Sequence, residues 1–273
     1  MINRISKKYG IIAFALICIT QMSIAQEYPT ESTFDEAENE LWFGTYGNFR
    51  LTEKFYWAGE FHTRMKGSKE TPLVDHVSKL YNRHGIKYVH SKKFSATVGG
   101  VLRLNFSKYG NEGENKALVL EPRIWHEYVF AMPFERFMIY HRIRIEHRWS
   151  KPNFDNAEFI YRNRYRYMIQ AKIPINNRKL IPGTYYFAPF IELIMQSGKP
   201  IVGNPMEDLR LYPHFGYIFN PRISASAGLL FTTGQSSAQG YSYRRRWIPR
   251  VNLYISLDWR KEELKIPEIN LRD

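Results

Sequence analysis

The sequence predicts an all-β fold, namely a single transmembrane antiparallel up-and-down β-barrel. Bacterial single-chain barrels have an even number of strands, so about 12 are expected, within a range of 10–12. Three observations predict this class. Apolar and polar residues alternate over long stretches, short and long connections follow each other in turn, and aromatic residues lie near both ends of the stretches. Alternation at every second residue indicates strands with one apolar and one polar face, and no helix could bury it on one stripe.

The chain begins with a predicted signal peptide, residues 1–25. A basic start precedes the apolar run Gly10–Thr20, and Ser23–Ala25 has the small residues that signal peptidase cleavage requires. A membrane-spanning helix would need roughly 20 apolar residues, which is more than this run supplies. The only cysteine, Cys18, lies inside the segment. The exported chain is therefore expected to have no disulfide, no cysteine-zinc site and no cysteine nucleophile.

The acidic segment 26–40 comes next and contains no Lys or Arg. An odd number of strands would start the first strand on the long-loop side, whereas both ends of such barrels normally lie in the periplasm. Segment 26–40 is therefore expected to cross the barrel, either as a twelfth strand or as a plug threaded through the lumen. The acids assigned to this plug are Glu31, Asp35, Glu36, Glu38 and Glu40.

The barrel itself is predicted over residues 41–260, from eleven alternating stretches. They start near Leu41, Phe55, Ser78, Phe94, Lys116, Arg136, Glu158, Tyr185, Leu209, Arg222 and Arg244. Most are about twelve residues long or more. Strands of soluble proteins have about 5–6 residues, whereas a tilted strand needs roughly 9–11 to cross a bilayer. Residues 261–273 are predicted to form a polar periplasmic tail.

The connections predict which end of the barrel faces which compartment. Tight turns are expected at Thr52–Lys54, Ser91–Lys93, Met132–Glu135 and Asn220–Pro221. Longer polar loops are expected at Gly67–His76, Lys108–Asn115, Lys151–Ala157, Gln196–Met206 and Gly234–Tyr243. Short periplasmic turns and longer extracellular loops are typical of outer-membrane barrels. The expected location is therefore the outer membrane of a Gram-negative bacterium, in contact with its lipids and lipopolysaccharide.

Two soluble architectures and two irregularities qualify this prediction. The aromatic residues could instead form the core of a soluble sandwich, and a lipocalin-like barrel would carry its polar face outside. Four prolines fall inside predicted strands, where each removes a ladder donor and is expected to mark a bulge or a strand end. They are Pro122, Pro189, Pro213 and Pro249. The stretch Ser78–His90 also alternates poorly.

Several of these patterns resemble a known family. The signal peptide, Trp42 and Gly44 at the first strand, and the stretches RIRIEHRW and YRNRYRYMIQ are similar to the DUF 2490 family of bacterial outer-membrane β-barrel proteins. The resemblance covers nearly all of the exported chain and rests on patterns of Arg and aromatic residues. It implies a location and a fold. The family has no agreed activity, so the resemblance implies no catalytic residue.

Charged residues are predicted to line the lumen. A turn at Met132–Glu135 would place Arg123 opposite Arg144, and a loop at Lys151–Ala157 would place Arg144 opposite Arg164. Like charges opposite each other are unfavourable, so this row requires anions. The candidate anion-binding residues are Arg123, Arg142, Arg144, Arg162, Arg164 and Arg166. The acids of the same parity are Glu121, Glu127, Glu146 and Glu192, with Glu146 expected opposite Arg162 and Arg142 opposite Arg166.

Three interpretations of this lumen remain open. The acidic segment could occlude an arginine-lined pore, or the lumen could be filled by its own salt bridges with that segment outside it. The arginines could also bind a small anionic solute or a lipid headgroup, because guanidinium groups suit carboxylate and phosphate. A nucleic-acid partner is not expected, despite the net charge of +13, because these arginines face inward in an exported chain.

The sequence favours a non-enzymatic barrel, either structural or a narrow, occluded channel for small anions. His126 and His141 are expected to face each other on the outer surface, but neighbouring strands supply no serine for a nucleophile. No metal-binding motif is present, so no catalytic residue, cofactor or metal is assigned. The alternatives are a lipid-modifying hydrolase and an accessory subunit of a larger envelope complex, whose protein partners the sequence does not identify.

Overall fold

The computed structural model describes residues 33–35, 39–108, 117–152, 154, 156–201, 204–235 and 242–260. Its regular elements are β-strands. They are β1 (Thr33–Asp35), β2 (Glu40–Arg50), β3 (Phe55–Lys66), β4 (His76–Ser91), β5 (Phe94–Phe106), β6 (Leu118–Pro133), β7 (Met138–Ser150), β8 (Ile160–Pro174), β9 (Tyr185–Phe187), β10 (Phe190–Ser197), β11 (Met206–Tyr212), β12 (His214–Asn220), β13 (Ile223–Gln235) and β14 (Ser242–Asp258). In these residues no helix has the length and apolar character needed to cross a membrane.

The strands form a closed barrel of eleven, which confirms the predicted fold class. Strands β2 to β8 pair in chain order, and β10, β11, β13 and β14 complete the ring back to β2. At the short-turn end, β9 pairs with β8 and β12 pairs with β13. Thus β9 and β10 act as one interrupted strand, and β11 and β12 as another. Pro189 and Pro213 lie at the two interruptions, as expected for residues without a backbone donor, whereas Pro122 and Pro249 lie within strands.

The ring closes through a parallel pair, and this explains the odd number of strands. β14 runs parallel to β2, from Arg250 opposite Trp42 to Asp258 opposite Arg50. Eleven lies within the predicted range, but the expectation of an even number is wrong, because a parallel pair lets the first and last strands end on the same side. β1 pairs with the beginning of β14 in the same direction, with Thr33 opposite Ser242.

The barrel is apolar outside and charged inside. Outward side chains such as Val98, Phe215 and Trp247 are 58%, 61% and 61% exposed, whereas the inward Glu146 and Arg144 are 0% and 3% exposed. A soluble protein would place these groups the other way round. The soluble sandwich and the lipocalin-like barrel therefore do not fit the structure.

Candidate functional site in the barrel lumen

The register of β6, β7 and β8 decides which charges meet in the lumen. Arg123 lies opposite Arg148, so the predicted pairing of Arg123 with Arg144 is wrong. The turn is displaced: Pro133 pairs with Met138, and Phe134 N donates to Phe137 O at 2.9 Å. The sequence interpretation had placed this turn two residues earlier in the chain.

The observed registers of β6–β7 and β7–β8 place acids opposite bases at two positions, although Arg123–Arg148 and Arg144–Arg166 still have like charges opposite each other. Glu127 lies opposite Arg144. Glu146 lies opposite Arg164, not opposite Arg162 as expected. Arg142 lies opposite Met168, so its predicted pairing with Arg166 is also wrong; Arg166 lies opposite Arg144, which removes the predicted Arg144–Arg164 pair.

Glu146 is the centre of an ion-pair network that we call the central cluster. Its members are Glu60, Glu127 and Glu146 with Arg83, Arg123, Arg144, Arg164 and Arg166. The carboxylate of Glu146 accepts hydrogen bonds from Arg123 at 2.6 Å, Arg166 at 3.0 Å, Arg83 at 3.2 Å and Arg164 at 3.4 Å. Four guanidinium groups thus share one fully buried carboxylate.

The central cluster also crosses the lumen from β3 to β7. Arg144 donates through Nε to Glu127 at 2.6 Å and through Nη2 to Glu60 at 3.2 Å. Arg83 donates to the other oxygen of Glu60. Because each arginine bridges acids from different strands, the cluster fixes opposite walls of the barrel against each other.

A second group of acids joins the cluster to β10 and β11. Glu192 accepts hydrogen bonds from Arg166 at 2.9 Å and from Arg210 at 3.3 Å, and it also pairs with Arg142. Arg164 Nε donates to Glu207 at 2.6 Å. Of the predicted lumen residues, Arg142, Arg164, Arg166 and Glu192 are therefore held in ion pairs.

Glu207 is a lumen acid that sequence reasoning missed. Alternation would place only one of the neighbours Glu207 and Asp208 inside. The β10–β11 register shifts between Ile194 and Met195, and such a bulge turns two consecutive side chains to the same face. Glu207 pairs with Arg164, and Asp208 accepts a hydrogen bond from Arg210 at 2.7 Å.

Two aromatic rings support the guanidinium groups. The rings of Trp125 and Tyr81 are buried inside the barrel. Arg144 lies 4.8 Å from the Trp125 ring centroid, and Arg64 lies 4.8 Å and Arg103 5.5 Å from that of Tyr81. Cation–π contacts of this kind strengthen where water is excluded, so the rings stabilise charges that the acids alone do not neutralise.

A cavity of about 340 Å³ occupies the long-loop half of the lumen. Fourteen basic side chains but only four acidic ones line it, so its walls carry an excess of positive charge. Arg64 and Lys79 lie opposite each other on β3 and β4, and in the described parts of the chain neither forms an ion pair. Arg64 instead stacks 3.7 Å above the Trp42 ring. This pair of free cations is the part of the lumen suited to bind an anion.

A septum separates this cavity from a smaller pocket of about 60 Å³ in the short-turn half. Five residues line both spaces: Tyr46, Arg142, Met168, Phe190 and Arg250. The Arg142–Glu192 ion pair and a hydrogen bond from Arg250 to the Tyr46 hydroxyl hold the polar members of the septum in place. The apolar members of the septum are Met168 and Phe190.

The remaining predicted lumen residues lie near the long-loop rim. Glu121 pairs with Arg103 at 2.9 Å, Arg123 at 2.7 Å and Arg148 at 2.8 Å. Arg162 lies apart from the central cluster and donates to the Ser150 hydroxyl at 3.2 Å.

Only two of the predicted plug acids, Asp35 and Glu40, are among the residues that the structure describes. Glu40 begins β2, and its buried carboxylate accepts hydrogen bonds from Trp42 Nε1 at 2.6 Å and from Arg246 at 2.5 Å. Asp35 is the last residue of β1, and in the strand register its backbone lies opposite Arg244 of β14. The other plug acids, Glu31, Glu36 and Glu38, lie outside the described residues. Occlusion of the lumen by segment 26–40 therefore stays a prediction.

The outward histidines are not arranged as predicted. His126 lies opposite Ile145 rather than His141, and its ring stacks on His147 at 5.6 Å. His141 is instead 2.8 Å from the Tyr167 hydroxyl. In the described part of the chain no histidine is hydrogen-bonded to a serine, and no group of three or more His, Cys, Asp or Glu could hold a metal ion.

Comparison with family models gives one match, over residues 39–243, to the family described as protein of unknown function, DUF2490. The chain belongs to this family. The match confirms the resemblance seen in the sequence. No curated protein and no solved structure matches the chain.

The part of the chain that defines membership in DUF2490 contains most of the lumen site. The central cluster, the septum residues of β2, β7, β8 and β10, and the free cations Arg64 and Lys79 all lie within residues 39–243. The plug acids before residue 39 and most of β14 lie outside the match.

Proposed function

We propose that this protein is an outer-membrane β-barrel whose occluded lumen binds small anionic solutes from the long-loop side. The observation that carries the proposal is the distribution of charge: an apolar outer wall surrounds a lumen rich in arginine. An apolar belt on the outside of a closed barrel suits a bilayer, in which every backbone group must be paired within the protein. The predicted export signal supports the same location, among the lipids and lipopolysaccharide of a Gram-negative outer membrane.

Anions are the proposed ligands because the cavity has more cations than acids. Arg64 and Lys79 face each other, and within the described residues neither forms an ion pair; a half-buried like-charge pair is unfavourable until an anion neutralises it. Carboxylate and phosphate match the hydrogen-bonding geometry of guanidinium. A cavity of about 340 Å³ limits such a ligand to a small molecule.

Occlusion is proposed because the septum obstructs the lumen between the cavity and the pocket below it. Met168 and Phe190 line both the cavity and the pocket below it, so their side chains lie where the two spaces meet. With the septum in place, the barrel is therefore expected to bind an anion in the cavity without conducting it.

Conductance in a planar bilayer tests this proposal. The refolded wild-type barrel is expected to show no steady current, whereas Met168→Ala combined with Phe190→Ala should open an anion-selective conductance beneath the intact arginines. The matched control is Ile143→Ala with Ile191→Ala, which removes similar volume from the outer wall, where these side chains are 40% and 56% exposed. A steady cation-selective current through the wild type would contradict the proposal.

A further inference from the structure

A polar cluster lies on the otherwise apolar outer wall, and the lumen site does not account for it. The ring of His126 stacks on that of His147 at 5.6 Å. His147 Nδ1 lies 2.7 Å from Asn163 Oδ1 and 2.9 Å from the hydroxyl of Tyr161. Tyr161 in turn donates to Asn163 Oδ1 at 2.7 Å. We call these four residues the outer histidine site.

The hydrogen-bonding groups of this site are incompletely used. His126 Nδ1 is buried and has no hydrogen-bond partner. His147 is bonded only through Nδ1, and within the described residues no member of the site forms an ion pair. Polar groups on a lipid-facing wall are unfavourable unless they find partners, and they therefore indicate a site of interaction.

Two residues of the site, His147 and Tyr161, lie toward the long-loop end, where headgroups would lie in the proposed membrane, whereas His126 lies in the middle of β6. His147 is three residues before the end of β7, and Tyr161 is the second residue of β8, so both lie close to the long-loop end. Trp149 packs on Tyr161 with ring centroids 5.4 Å apart. Just beyond, the ammonium group of Lys151 lies 4.9 Å from the Phe159 ring. Aromatic residues flank the apolar band of such barrels at the membrane interface.

We propose that the outer histidine site binds the phosphate group of a lipid headgroup in the leaflet at the long-loop end. The Nε2 atoms of His126 and His147, which have no hydrogen-bond partner within the described residues, would hydrogen-bond the phosphate group, and Lys151 would supply the opposite charge. The rings of Trp149 and Tyr161 would contact the glycerol and upper acyl carbons. The inference rests on the proposed function for the membrane location alone, since it makes no use of the lumen.

Lipids that differ only in the phosphate test this inference. The full exported chain is refolded in detergent micelles that contain equal amounts of dioleoyl phosphatidic acid and dioleoylglycerol. The amount of each lipid that stays bound to the protein is measured by native mass spectrometry. The wild type should retain phosphatidic acid over dioleoylglycerol by about tenfold, the ratio that one charge-assisted hydrogen bond supplies. The double variant His126→Leu with His147→Leu should bring this ratio close to one.

The same strands provide a matched control. His141 and Tyr167 form a second outward pair nearer the short turns, but that pair contains a single histidine. His141→Leu should leave the lipid ratio unchanged. Lys151→Gln, directly after the end of β7, should lower the lipid ratio. This variant provides the test if the double variant does not fold. Equal retention of phosphatidic acid by the wild type and by both site variants would overturn the inference.

Inorganic phosphate separates a headgroup site from a free-anion site. Added at millimolar concentration, it should displace little phosphatidic acid, because it lacks the acyl chains that the rings contact. Complete displacement would overturn the assignment to a lipid. Insertion into vesicles is checked separately: a barrel that inserts but shows no lipid preference refutes this inference only, whereas one that does not insert refutes the proposed function.

Discussion

The central cluster and the cavity above it use the same cations in opposite ways. In the cluster each acid is shared by several arginines, as Glu146 is by four. In the cavity Arg64 and Lys79 face each other, and in the part of the chain that the structure describes neither forms an ion pair. The comparison separates two kinds of charge in this lumen: paired arginines join the walls of the barrel, whereas the two unpaired cations form the proposed anion site.

The largest effect is expected from breaking the central cluster. Glu146→Gln removes the negative charge on which four guanidinium groups converge, and loss of one partner of a buried ion pair costs about 3–5 kcal/mol. Chemical unfolding in detergent micelles should show that loss in the free energy of unfolding. Glu53→Gln, in the exposed turn after β2, is the matched control and should change it little.

An unchanged free energy of unfolding for Glu146→Gln would show that the central cluster does not hold opposite walls of the barrel together. The arginines would then be balanced by other groups, and the distinction between paired and unpaired cations would fail.

The second prediction concerns the cavity. Arg64→Gln combined with Lys79→Gln removes the two unpaired cations and should weaken binding of inorganic phosphate by about tenfold or more, since each charged hydrogen bond contributes about 1.5–3 kcal/mol. Fluorescence of Trp42, which stacks on Arg64, offers the readout. The folded state should lose less stability than in Glu146→Gln, because no ion pair is broken and only the cation–π contacts of Arg64 with Trp42 and Tyr81 are removed.

The control for this variant is Arg178→Gln with Lys179→Gln. It makes the same change of charge in an exposed turn near the short-turn end. Equal loss of phosphate binding in both variants would show that the effect comes from net charge and not from the cavity.

A smaller effect is expected when the cavity is filled. At about ten times its dissociation constant, phosphate should stabilise the wild type by about 1.4 kcal/mol, because it binds the folded state alone. The melting temperature, measured at constant ionic strength, should therefore rise for the wild type and for Glu53→Gln but not for Arg64→Gln with Lys79→Gln. A rise in all three proteins would indicate a nonspecific salt effect.

The smallest effect concerns a charge pair outside the barrel. Asp75 lies 2.9 Å from His76 Nδ1 and 3.0 Å from Lys108 Nζ, and these hydrogen bonds hold the pKa of its carboxyl below the usual range. A lowered folded-state pKa stabilises the loop above the unfolded-state pKa of about 4, and this stability is lost as the pH falls through the folded-state value.

Amide hydrogen exchange of the loop before β4 measures this contribution. Wild type and Asp75→Asn should differ most at neutral pH and converge in strongly acid solution. Because the pair is exposed, the difference should be far smaller than that caused by Glu146→Gln. A difference that grows as the pH falls would contradict the assigned sign.

The fold was predictable because alternation over long stretches depends only on which face of a strand meets water or lipid. The inward parity of Arg144, Arg164 and Glu146 was predictable for the same reason. The pairing was not, because the register depends on where the turn closes, and Phe134–Phe137 closes it later than the sequence suggested. Glu207 was hidden by a bulge, which breaks the alternation on which the prediction rests.

Two further lumen residues, Glu60 and Arg83, differ in how clearly the alternation of polar and apolar residues places them inside. Glu60 has the same parity as Arg64 along β3, so alternation would have placed both inside. Arg83 lies in the stretch that alternates poorly, where outward polar residues such as His84 obscure the pattern. His84 faces outward, and its ring stacks on that of Trp57 with centroids 5.4 Å apart.

The parallel seam between β14 and β2 has a consequence for how the chain folds. Every other long pairing of the ring joins strands that lie close together in the sequence. This one joins residues about two hundred positions apart, such as Arg250 and Trp42. Local hairpins can form early, whereas a pairing of such high contact order requires the whole chain and comes late. Until β14 is in place, the sheet has two open edges that can pair with other chains. A chain truncated before β14 should therefore aggregate instead of closing.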